Sequence, residues 1–263
     1  LSGASKASSL GPVHDFDLSS KPFSKDNTFR REHGFTDKFV ILYSGNHSLA
    51  HPLDLLLEAA LRLRHNNKIL FVFIGSGTLV EPIRDFIKIH ELSNVVQLPL
   101  QPREKLCESL TFADLHIVVM GNTVNGLVHP SKVYGILATG RPYIFIGPRE
   151  SYIADMLAEC PYGFQVEHDE VDKLLQTIDR ITLLSEKELT SYNKHNMEYV
   201  ATRFSAQQSM NIVLNQVLKL LPLLSKNTGK IHEKNMDSSF GIRTEINCEQ
   251  FTSPEKSASL RQT

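Results

Sequence analysis

FVILYSGNHSLAHPLDLLLEAALRLRHNNKILFVFIGSG, residues 39–77, decides the fold class. FVILYSG is a short apolar run that stops at Gly45, the pattern of a strand buried on both faces. HPLDLLLEAALRLRHNN follows with apolar residues three and four apart, an amphipathic helix. ILFVFIGSG then repeats the strand-to-glycine theme. A strand, a helix and a second buried strand in succession predict parallel pairing through a right-handed crossover.

The alternation continues downstream. EPIRDFIKIHELS predicts a helix that tolerates Pro82 in its first turn. NVVQLPL, DLHIVVM, PYIFIG and YGFQVE read as strands, separated by helical patterns in PREKLCESLTFA, PSKVYGILATG and SYIADMLAEC. Helical patterns then run through VDKLLQTIDRITL, SEKELTSYNKHNMEYVATRF and SAQQSMNIVLNQVLKLLPLL. The expected class is α/β: a Rossmann-like, doubly wound parallel sheet of about six strands, with C-terminal helices. Residues 1–37 are polar and weakly periodic, and are expected to be a linker with a short helix at NTFRREHG. Residues 38–222 are expected to form the domain. Residues 223–263 hold too few large apolar side chains to offset their ordering entropy and are expected to be a disordered tail.

Composition narrows the function. The net charge of −1 gives no broad basic field, so no nucleic-acid partner is expected. No apolar run is long enough to cross a bilayer. LSGASKASSLGP lacks the apolar core of a signal peptide and an initiator Met, so the chain reads as a fragment. Cys107, Cys160 and Cys248 are few, odd in number and widely spaced, which fits a reduced cytoplasmic setting.

In an open α/β sheet, ligands lie beyond the carboxyl ends of the strands. That rule selects the loops YSGNHS, IGSGT, LPLQPRE, VMGNTVNGLVHPSK and FIGPRES before any residue is considered. In the fourth, Pro130 suits the first turn of a helix. The amides of Ser131, Lys132 and Val133 would then be unpaired, an arrangement that binds anions. Lys132 adds a full charge on a flexible stem, suited to a phosphate. The alternative is that Pro130 merely starts a helix and Lys132 is solvated. Gly45 would let a ligand approach the backbone, or simply close a turn, and the polar Asn46, His47 and Ser48 beside it also serve as helix caps. Gly126 leaves the long fourth loop free of bulky cover. His129 either bonds a ligand or is a surface histidine. IGSGT lacks the third glycine of a dinucleotide fingerprint and reads as a strand-to-helix turn. No GxxxxGK[ST], HExxH, paired CxxC or GxSxG pattern occurs, so neither a phosphate loop, a protein-bound metal nor a serine-hydrolase elbow is expected.

Taken together, KFVILYSGNHSLAHPLDLLLEAA, ILFVFIGSGTLVEPI, VVQLPLQPREKL, ADLHIVVM and GLVHPSKVYGILATGRP resemble the C-terminal, donor-binding half of a family 4 glycosyltransferase of GT-B architecture. The resemblance covers residues 35–185 and is to the kind of bacterial enzyme that builds surface polysaccharides. It implies a nucleotide-sugar donor, retained anomeric configuration, no metal or other cofactor, and a polysaccharide or lipid-linked acceptor bound by an N-terminal domain not contained in this chain. It places Gly45 against the diphosphate, Ser131 and Lys132 on its oxygens, and Leu98 and Gln101 beside the base, with Arg103 covering it. Lys132 would carry the catalytic role of stabilising the leaving diphosphate. Aligning on ATGRP puts Leu127 and Gly135 where many family members carry two glutamates, so the ribose contact is unassigned. The resemblance also implies a cytoplasmic protein with peripheral association at the inner membrane face. It likens residues 206–222 to a helix that returns toward the N-terminal domain. Two alternatives remain open. One is a non-catalytic nucleotide-binding fragment. The other is a nucleotide-sugar epimerase of GT-B form, for which Glu150 is the nearest carboxylate.

Overall fold

Each apolar run forms a strand, and each glycine or polar cluster after it ends one. In the computed structural model, which describes residues 27–160 and 163–203, the strands are β1 (Phe39–Asn46), β2 (Ile69–Ser76), β3 (Val95–Pro99), β4 (Leu115–Val119), β5 (Tyr143–Ile146) and β6 (Gly163–Val166). They pair in parallel in the order β3-β2-β1-β4-β5-β6. The order reverses between β1 and β4, so the topological switch point, where ligands bind in such sheets, lies there.

Helices cover both faces. Ile41 and Tyr43 of β1 and Phe71 and Phe73 of β2 share one core with Leu56 and Ala60 of α2 (Asp54–Arg62), Ile83 of α3 (Val80–Ile89) and Ile178 of α7 (Val171–Thr182). The alternate residues Val40, Leu42, Leu70 and Val72 pack on the opposite face, against Phe29 of α1 (Thr28–Glu32) and Leu110 of α4 (Leu106–Thr111). Strand parity and right-handed crossovers dictate this sorting. A third cluster joins Val118 and Phe145 to Val133 and Leu137 of α5 (Lys132–Ala138) and to Ile153 and Met156 of α6 (Tyr152–Glu159). The final described helix, α8 (Glu186–Arg203), packs on α5.

One boundary differs from expectation. The end of the expected linker, residues 27–37, belongs to the packed domain. Asn27 caps α1 by accepting the Arg30 amide, and Phe29 and Phe35 are buried against Phe112. The buried Arg30 guanidinium grips Asp114 at 3.0 Å and also donates to the carbonyls of Phe35, Lys38 and Phe112. Asp114 in turn accepts the Val40 amide at 2.8 Å, which ties α1 to β1 and β4. An Arg fork shared among a carboxylate and several carbonyls is a strong anchor that a polarity reading of the segment does not reveal. The expected tail, the helix at 206–222 and the rest of the linker lie outside the described residues.

Candidate functional site

The β1 loop and the β4 loop meet at the switch point, where the Gly121 amide donates to the Ala50 carbonyl at 2.9 Å. Tyr43, Gly45 and His47 are two residues apart at the end of β1. Gly45 has φ +146° and its register partner Gly75 has φ +154°, conformations that favour glycine. A Cβ on Gly75 would lie 1.9 Å from the Gly45 carbonyl oxygen, and a Cβ on Gly45 would lie 2.6 Å from Lys132 Nζ. The missing side chain of Gly45 is the space the lysine occupies.

Lys132 therefore turns inward toward the carboxyl edge of the sheet, not into solvent. Its Nζ is buried, sits 4.2 Å from the centre of the Tyr43 ring, and has no hydrogen-bond partner among the described residues. The Tyr43 hydroxyl donates to the Asn46 carbonyl at 2.8 Å, which fixes the ring beneath the ammonium. Burial lowers the Lys132 pKa from 10.5 to about 8, so the group still carries its proton at neutral pH. Cation–π attraction offsets part of the desolvation cost. An anion delivered to Nζ would offset the rest.

Two histidines share this region. His47 is 1% exposed, and neither ring nitrogen has a partner among the described residues. Its ring lies 5.4 Å from that of Tyr43 and 6.3 Å from that of Phe73. His51 is buried, and its Nδ1 is 3.1 Å from Ser48 Oγ. Ser48 thus holds a histidine and does not cap α2, whose N-cap is Leu53. Burial first and the Lys132 charge second push both histidines down to about 4, which leaves them neutral at pH 7. One ammonium and two neutral imidazoles make an anion-seeking group.

The Pro130–Val133 segment departs from the expected cradle of three free amides. The helix begins at Lys132, and Ser131 is an N-cap with φ −56° and ψ −21° that makes no side-chain capping bond. This tight entry consumes donors. The Ser131 amide donates to the His129 carbonyl at 2.8 Å and the Val133 amide to the Pro130 carbonyl at 3.1 Å. Pro130 and Val133 are themselves buried. Only the Lys132 amide has no described backbone acceptor.

Two cavities lie at the carboxyl edge of the sheet. One of about 280 Å³ lies at the ends of β2 and β3 and is bordered by His47, Gly75, Gly77, Leu98 and Pro99. The other, of about 590 Å³, opens beyond β4 and is bordered by Gly126, His129, Pro130 and Ser131 together with Met120 and Tyr152. Lys132 lines neither, but His47 borders the first, and the lysine's chain neighbours Pro130 and Ser131 border the second. Asn46 is exposed at the end of β1. Gln101 is turned back on its own loop, donating to the Pro99 carbonyl at 2.7 Å. Arg103 begins a 3-10 turn at Arg103–Lys105, and its side chain lies outside what is described. Glu150 is exposed, and its backbone carbonyl accepts from Asn125. Among the described residues, no group of three or more His, Cys, Asp or Glu gathers as a metal site would.

Sequence reasoning missed Tyr43 and His51 at the lysine and Tyr152 at the larger cavity, with Tyr134 bonded to it, and weighed His47 only as a helix cap. Parity along β1 was the available signal, because Tyr43 and His47 lie two residues either side of the glycine already singled out.

The family model described as "Glycosyl transferases group 1" matches residues 25–188. WcaI of Escherichia coli K12, assigned as a colanic acid biosynthesis glycosyl transferase, is 27% identical over 185 residues, which is 69% of this chain and 43% of WcaI. Among solved structures, Anabaena HepE in complex with UDP-glucose superposes with a TM-score of 0.63 at 17% identity, covering 78% of this chain and 56% of HepE. A glycosyltransferase from Rickettsia africae ESF-5 superposes at 0.64 with 14% identity, covering 78% of this chain and 54% of that one. The chain spans about half the length of these relatives, and the structural likeness establishes the fold. With a family match that runs over most of the described sheet, the chain belongs to the group 1 glycosyl transferases.

Proposed function

We propose that the β1–β4 crevice holds a nucleotide-sugar donor, with its diphosphate on Lys132 Nζ and Gly45, its base toward the smaller cavity and its sugar in the larger one. The observation that carries this reading is the buried, unpartnered Lys132 ammonium aimed at the end of β1. Family membership and the UDP-glucose bound by HepE support a nucleotide sugar over other phosphate ligands. In the reaction, the bond from the anomeric carbon to the diphosphate oxygen breaks and negative charge grows on the leaving group. Lys132 stabilises that charge, assisted by its own backbone amide and by neutral His47 and His51 as hydrogen-bond donors. No protein-bound metal is needed in this scheme, because the lysine neutralises the diphosphate. The glycosyl group passes, with retained configuration, to a glycan or lipid-linked acceptor held by a second domain. Such an acceptor places the whole protein at the cytoplasmic face of the inner membrane as a peripheral protein. No helix among the described residues is long and apolar enough to cross a membrane.

The test is thermal melting of the chain with UDP, GDP and ADP and their sugars, in wild type and Lys132→Ala. A shift with one nucleotide series that vanishes in the variant supports the reading. An equal shift in both proteins rejects the phosphate role of Lys132.

A further inference from the structure

The larger cavity has an unusual chemical balance for a carbohydrate site. Among the described residues that line it, none is acidic. Leu127, Val128 and Ile153 make one apolar part of its wall, beside the polar Asn125, His129 and Ser131, and Leu127 and Val128 are 84% and 37% exposed. A sugar that offers only hydroxyls would find Asn125 and Ser131 as neutral acceptors but no carboxylate, and would gain nothing from the apolar part of the wall. The cavity instead suits a substituent with an apolar end.

Beside that wall stands a relay of three side chains. His129 Nε2 is 2.8 Å from the Tyr134 hydroxyl, and that hydroxyl donates to the Tyr152 hydroxyl at 3.3 Å. In the Nε2-protonated tautomer of His129 the imidazole N–H donates to Tyr134, Tyr134 donates to Tyr152, and the proton of Tyr152 is left over. Tyr152 lines the cavity, and no acceptor for its proton is found among the described residues. In that tautomer the relay presents one O–H donor beside an apolar wall. That pair matches a carbonyl oxygen carrying a methyl group.

We propose that this cavity selects an acetamido sugar, whose carbonyl accepts the Tyr152 hydroxyl proton and whose methyl packs on Leu127, Val128 and Ile153. The assignment rests on the diphosphate reading above, since the same lysine anchors the donor. Among nucleotide sugars that differ only at this substituent, the acetamido form binds more tightly. An apolar group in a matching pocket is worth about tenfold in discrimination.

The experiment titrates the 263-residue chain by calorimetry with UDP, UDP-glucose, UDP-galactose, UDP-N-acetylglucosamine and UDP-N-acetylgalactosamine. The expected result is about tenfold tighter binding of the acetamido member of at least one epimeric pair. Tyr152→Phe should abolish that preference while UDP affinity is unchanged. Leu127→Asp, at an exposed position where folding is not at stake, should reduce the preference in the same way. If UDP binds but each acetamido sugar merely equals its hydroxyl counterpart, the selectivity is overturned and the diphosphate reading survives. The same holds if the preference persists in both variants. If none of the five ligands binds, the diphosphate reading fails for uridine donors and this proposal fails with it.

Discussion

Replacing Lys132 with methionine should stabilise the protein when no nucleotide is present and weaken its response to UDP. The lysine pKa falls from 10.5 to about 8 because the ammonium is buried. At ~1.4 kcal/mol per pH unit, that fall corresponds to about 3 kcal/mol of folding free energy lost below pH 8. Loss of the contact with Tyr43 returns about 0.5–2 kcal/mol of this, so the net gain is about 1–3 kcal/mol. For a domain of this size that raises Tm by roughly 3–10 °C. The pH dependence has a definite sign. The unfolded lysine binds its proton up to pH 10.5 and the folded one only to about 8, so wild-type stability rises across that interval. The advantage of the methionine variant should be full below pH 8 and gone above pH 10.5. UDP should raise the wild-type Tm by mass action. Loss of a charged hydrogen bond of about 1.5–3 kcal/mol should weaken UDP binding by roughly 10- to 100-fold in the variant. Thermal melts at pH 7, 9 and 10.5, with and without UDP, measure both effects. A variant that melts below wild type at pH 7 and shifts with UDP as much as wild type does would refute the reasoning.

Three further perturbations probe the surrounding structure. Gly45→Ala places a methyl 2.6 Å from Lys132 Nζ on backbone at φ +146°, so it should cost about 1–3 kcal/mol in urea denaturation and block UDP binding; unchanged affinity would contradict it. His47 and His51 are held down to about 4 and the buried His116 to about 3, below the unfolded value of 6.5, so stability should be lost as pH falls from 6.5 toward 4. A guanidinium midpoint that stays flat between pH 6.5 and 5 would contradict that. Asp114→Ala leaves Arg30 buried without its carboxylate and should cost about 3–5 kcal/mol, whereas a change under 1 kcal/mol would show that residues 27–37 are not anchored by the pair.

The framework was legible because strand and helix leave different periods in the sequence. The runs at 39–43 and 69–74 are apolar at every position, the pattern of strands covered on both faces. Their order along the chain then fixed the switch point and the loops that border it. Lys132 was identifiable from its place after β4, and the structure directs it to the predicted edge. Other features depended on contacts between distant residues. The Arg30–Asp114 pair spans 84 positions, so nothing local marks residues 27–37 as part of the domain. The amides of Ser131 and Val133 are consumed by a turn whose geometry the residues PSK do not specify. His47 and His51 acquire meaning only once the β4 loop brings Lys132 beside them, and Tyr152 only once α6 carries it to His129 at a ring distance of 4.7 Å.

The most direct test of the phosphate role is the ionisation of Lys132 itself, followed by NMR of its side chain with and without UDP. Without nucleotide the ammonium should titrate near pH 8. With UDP bound, the adjacent diphosphate should raise that value to 10.5 or above. A lysine that titrates near 10.5 in both states, or one whose pKa does not move when UDP binds, would contradict the account.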